Sequence, residues 1–80
     1  MADVTETVTE IVPHMGVTAI YFTGTKAGAT DYVTFSGYRS VLYCAGQTGG
    51  VDDPVTAIST NVVTFSTGTG TLKGFALVIK

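Results

Sequence analysis

The chain has one cysteine, Cys44, so no intrachain disulfide can form. It has one histidine, His14, which excludes a His-rich metal site. It has no tryptophan, which weakens any sugar-stacking site. Charged residues make up only 12% of the chain, about half the usual share. The four cations, Lys26, Arg39, Lys73 and Lys80, are scattered and the net charge is −2. Nucleic-acid binding needs several phosphate contacts, so no nucleic-acid partner is expected. No apolar run approaches the length of a membrane-spanning helix, and no membrane partner is expected. The first ten residues, MADVTETVTE, are acidic and lack the apolar centre of a signal peptide. The expectation is a protein made in the cytoplasm and not exported by a signal peptide.

What is present is apolar and hydroxylated. Hydrophobic residues reach 45%, there are ten glycines, and Thr occurs fifteen times. Disordered chains are charged and poor in aromatics, and this one is neither. A domain of 80 residues buries only about 60% of its unfolded surface and is marginal alone. With disulfide and metal excluded, a partner subunit is the remaining source of support.

β-branched and aromatic runs alternate with Gly-rich breaks along the whole chain, and no helical stripe with caps appears. Ala2–Val12, with Val4, Val8 and Val12, reads as a strand, either an arm that reaches a neighbour or an edge strand. Pro13-His14-Met15-Gly16 breaks it, because Pro cannot donate to a ladder. Val17–Thr23 reads as a central strand, and Gly24–Thr30 as a loop. Asp31–Ser36 and Ser40–Ala45 read as strands, and Gly46–Pro54 as the longest loop, with unusual backbone angles at Gly49-Gly50. Val55–Thr60 is a strand that turns at Ser59-Thr60-Asn61, where Asn tolerates the left-handed conformation. Val62–Phe65 and Leu72–Ile79 read as a hairpin around the loop Ser66–Thr71, its second strand buried on both faces. The expected fold is all-β: one β domain over residues 1–80, a small antiparallel sandwich or barrel of six to seven short strands, with residues 1–12 as the arm or edge. The expected core is Ile20, Phe22, Val33, Phe35, Val41, Tyr43, Ile58, Val63, Phe65, Leu77 and Ile79. Val-Thr-Ala-Ile occurs at 17 and 55, and Val-Thr-Phe-Ser at 33 and 63. Chance in a Thr/Val-rich chain explains this echo, against two related halves that each give one sheet.

No motif carries catalysis. Cys44 lies between Tyr43 and Ala45 in an apolar strand and reads as a packed thiol rather than a nucleophile paired with His14. His14 lacks a fixed acidic neighbour and reads as a surface or interface residue. Asp52-Asp53-Pro54, even with Asp31, offers too few oxygens for calcium and reads as a solvated turn. The loop STGTGT has the composition of a phosphate loop, but a strand follows where a helix is needed. The expectation is no enzyme, no cofactor and no metal. Tyrosines at strand ends either cap a core edge or anchor a subunit. The candidate interface residues are therefore Val4, Val8, Val12, Tyr32 and Tyr38.

The order VTAIYFTG, then DYVTFSGYRSVLYCAG, then PVTAISTNVVTFSTGTGTLKGFALVIK resembles small β-rich structural proteins of tailed phages and prophages. The resemblance spans Val17–Lys80 and rests on residue-type pattern, so it carries over no functional residue. It implies a virion component such as a capsid decoration (cement) protein, with itself and a major capsid or other virion protein as partners. The alternative is a small β-sandwich binding module that recognises a glycan or other surface ligand through Gly24–Thr30 and Gly46–Pro54.

Overall fold

The computed structural model describes the backbone of residues 2–14 and 16–80, and the side chains of these except residues 12–14. The described residues form nine strands and no helix: β1 (Asp3–Val4), β2 (Thr7–His14), β3 (Val17–Lys26), β4 (Tyr32–Thr34), β5 (Ser40–Thr48), β6 (Val51–Asp52), β7 (Val55–Ser59), β8 (Val62–Phe65) and β9 (Gly70–Ile79). They build two sheets. One has the order β1-β4-β8-β7 and the other β2-β3-β9-β5-β6. The pairings are antiparallel except β1–β4, which is parallel. The all-β sandwich expected from the strand pattern is the observed fold.

β9 lies in the middle of the five-stranded sheet, between β3 and β5. That is the place its apolar character requires. It does not form a hairpin with β8, however. The segment after Phe65 carries the chain from one sheet to the other, so residues 66–69 cross between layers, and Gly70 and Thr71 already belong to β9. The consecutive strands that pair as hairpins are β2–β3, β5–β6 and β7–β8. Gly49 and Gly50, at φ 62° and 82°, make the two-residue turn of β5–β6, so the expected long loop is mostly strand. In the β7–β8 turn the left-handed residue is Thr60, at φ 57°, and not Asn61. Asn61 ties the turn down instead. Its Nδ2 donates to the carbonyls of Phe35 and Tyr38.

The N-terminal segment pairs twice. β1 borders β4, and β2 borders β3 as an edge of the other sheet. β2 runs through Pro13 to His14, with an irregularity between Glu10 and Val12. Pro is tolerated there because an edge strand leaves one side of its ladder unpaired.

The core lies between the sheets: Val4, Ile20, Phe22, Val33, Phe35, Val41, Cys44, Val63, Phe65, Leu72, Ala76 and Val78. Phe22 of β3 reaches across to meet Phe35 edge-on, with centroids 5.1 Å apart, and Phe65 at 6.2 Å. Gly74 faces Phe22 across the β3–β9 ladder. A Cβ on Gly74 would fall on the Ala45 carbonyl oxygen and within 2.6 Å of the Phe22 ring. The absence of a side chain there lets the ring lie against the sheet.

Four expected core residues are not in it. Tyr43 and Ile58 are exposed, and Leu77 and Ile79 are half-buried. In β9 the inward positions are Leu72, Ala76 and Val78, one residue out of phase with the expectation. In β5 a bulge between Val41 and Tyr43 turns both Val41 and Cys44 inward and Tyr43 out. Ile58 sits on the edge strand β7, beyond the cover of the second sheet. The two Val-Thr-Phe-Ser copies are antiparallel neighbours in one sheet, with Val33 opposite Val63. They do not mark two halves that give one sheet each.

Candidate functional site

Two surfaces could hold function: the loop end of the sandwich and the outer face of the five-stranded sheet. The loop end is closed by a buried ion pair. Lys26, the last residue of β3, points inward and its side chain is 0% exposed. Its Nζ donates to Asp53 Oδ2 at 2.6 Å, to the Ala29 carbonyl at 2.9 Å and to the Thr67 carbonyl at 3.1 Å. It also lies 5.6 Å from the centroid of the Phe65 ring. Asp53 accepts from Thr48 Oγ1, Ser66 N and Thr67 N as well. One amine and one carboxylate thus tie together the ends of β3 and β5 and the connections before β4, before β7 and before β9. Burial opposes the charge on Asp53. The hydrogen bonds from Lys26, Thr48, Thr67 and Ser66 outweigh that and hold its pKa below the ordinary carboxylate value.

This corrects the solvated-turn reading of Asp52-Asp53-Pro54. Asp53 is 1% exposed and is the anion of the clasp, while Asp52 is exposed. It also changes the picture of the two Gly-rich segments. Gly24–Lys26 belongs to β3 and Gly46–Thr48 to β5, and both segments are bound into the clasp. Asp31 is spent on a turn. Its carboxylate accepts from the backbone N–H groups of Ala2, Ala27 and Gly28, and the bond from Gly28 leads in lowering its pKa. Among the described residues, every buried side-chain N or O has a partner, and no three His, Cys, Asp or Glu side chains gather where a metal could bind. The clasp is satisfied chemistry with nothing left to offer a ligand.

Cys44 is 6% exposed, and burial pushes its thiol pKa up to about 12. His14 is placed by its backbone in β2, opposite Val17, and its side chain lies outside the described residues.

The candidate interface residues do not come together as one patch. Val4 is 4% exposed and belongs to this chain's own core, because β1 packs as part of the sandwich. Val8 and Tyr38 are half-buried against that core. Tyr38 Oη donates to Glu10 Oε2 at 2.9 Å, and Lys80 Nζ pairs with Glu10 Oε1 at 2.8 Å. Burial first, and then this bond to Glu10, raise the Tyr38 pKa to about 12. Tyr32 is half-buried in β4, opposite Thr64. The Val12 side chain lies outside the described residues.

The surface that sequence reasoning missed is the outer face of the five-stranded sheet. Ladder register places Tyr21 opposite Phe75 and Phe75 opposite Ala45. The next row places Ala19 opposite Leu77 and Leu77 opposite Tyr43. Tyr43 and Phe75 touch diagonally, with ring centroids 5.8 Å apart. Tyr21 is 60%, Leu42 54%, Tyr43 50% and Phe75 41% exposed. Below these rows lies a polar one, Thr23–Lys73–Gln47–Asp52. A depression floored by Gly46 and Gly74 separates the two. On the other sheet, the residues that alternate with the buried ones are Tyr32, Thr34, Val62 and Thr64, half-buried and rich in hydroxyls. The sequence did hold a signal for this asymmetry: the outward phase of β3 and β9 is as apolar as the inward one.

The fold and this face define a small two-layer β protein with one apolar and one hydroxylated sheet surface. No family model, curated protein or solved structure matches the chain.

Proposed function

We propose that the chain is a non-enzymatic structural assembly protein that acts through protein–protein contacts as a homo-oligomer. The setting is the one its pattern resemblance implies, a tailed-phage virion, where it serves as a decoration (cement) protein against a major capsid or other virion protein. The supporting observation is the outer face of the five-stranded sheet. Tyr21, Leu42, Tyr43 and Phe75 stand exposed together on a rigid surface. Contiguous apolar patches of this kind mark interaction sites. Two further features suit a building block. The loops at one end are locked by a buried ion pair, and the chain carries few surface charges to desolvate on contact. The test is the mass in solution by light scattering after size-exclusion chromatography over a range of concentrations. The reading expects a species larger than 8.3 kDa that grows with concentration. A monomer throughout would remove self-assembly, and failure to bind purified capsid shells would remove the virion setting.

A further inference from the structure

Resting on the assembly reading, we propose that two copies pack face to face through the outer surface of the five-stranded sheet, about a twofold axis along β5, so that Lys73 of each meets Asp52 of the other. The apolar rows supply the contact area. Phe75 of β9 and Tyr43 of β5 rise beside the axis, and sheets that stack face to face leave about 10 Å for such side chains to fill.

The charges set the symmetry. At the outward positions of β3, β9, β5 and β6 there are two charged residues, Lys73 and Asp52. Both lie in one cross-strand row, on either side of Gln47. A half-turn about an axis along β5 exchanges β9 with β6 and leaves β5 facing itself. Each lysine then lands over an aspartate, twice per dimer. This is the self-complementarity that a twofold interface requires, residue i on j and j on i. An unrelated partner would not need opposite charges placed symmetrically about one strand.

The experiment is a charge-reversal cycle: Lys73→Asp, Asp52→Lys and the double variant, each measured by sedimentation velocity, with thermal melting to confirm folding. Both positions are exposed on the sheet surface, so the variants keep the fold. Each single reversal places like charges at both contacts and should weaken the dimer at least about tenfold. The double variant should return to near wild-type affinity. A dimer unaffected by the single changes, or a double variant as weak as the singles, overturns this interface while leaving the assembly reading intact. A wild-type protein that stays monomeric at every concentration overturns both.

Discussion

Phe65 sits where the two sheets and the ion pair meet. It is 0% exposed, packs near Phe22, and lies beneath the Lys26 ammonium. Phe65→Ala removes a ring that the surrounding backbone cannot collapse to replace, and should cost about 3–5 kcal/mol in chemical denaturation. A loss below about 1 kcal/mol would take Phe65 out of the core. Cys44 should be labelled slowly by thiol reagents in the native protein and quickly in denaturant, since burial keeps it protonated at neutral pH. Rapid native labelling would contradict its place between the sheets. Thr60 holds φ 57° at the first central position of a two-residue turn, where glycine is usual. Thr60→Gly should therefore raise stability, by roughly 1 kcal/mol, read as a higher unfolding midpoint. Residues with one strong partner in the pattern, such as Phe22, Val33 and Val63, were legible as core. Leu77 and Ile79 were not, because both phases of β9 are apolar and alternation alone cannot say which phase faces in. Tyr43 was hidden by a bulge, which breaks the period of two without any mark in the sequence.

At the scale of elements, the strands were readable and their partners only partly so. A Gly/Thr loop between two apolar runs signals a turn equally well within a sheet and between sheets, so β8 and β9 looked like a hairpin. The clasp was invisible for a different reason. Lys26 and Asp53 stand 27 positions apart, each in a stretch that looks solvated. Their meeting depends on β3 and β6 belonging to one sheet. Breaking the pair should be costly. Asp53→Asn leaves a buried ammonium without its anion and should cost about 3–5 kcal/mol. Replacing both residues by apolar ones should not recover this. The N–H groups of Ser66 and Thr67 and the carbonyls of Ala29 and Thr67 would then lose their partners. The pH dependence follows from the depressed carboxyls of Asp53 and Asp31. The unfolded chain takes up protons near pH 4, before the folded one does. Their contribution is therefore full above about pH 4 and lost as pH falls through the lower, folded values. A melting series from pH 7 to 2 should be flat at first and then drop, and the Asp53→Asn drop should be shallower. An equal drop in both proteins would contradict the role of Asp53.

For the whole molecule, the account joins a locked sandwich to one apolar face. The N-terminal segment, whose sequence fits either an arm or an edge strand, is an edge built into the folded chain: Val4 fills the core and β2 edges the sheet. Deleting residues 2–12 would therefore cut into the fold itself and could not isolate assembly. The face formed by β3, β9 and β5 can be altered without entering the core. The central claim is that this face associates. The most direct measurement is the melting temperature as a function of protein concentration, for the wild type and for Phe75→Lys. Anything that binds only the folded chain, including a second copy, makes melting depend on concentration. The wild type should melt higher as concentration rises. Phe75→Lys should melt at one temperature throughout, near that of the wild type at its most dilute. A wild-type melting temperature independent of concentration, or a Phe75→Lys series that rises in step with the wild type, would contradict the claim.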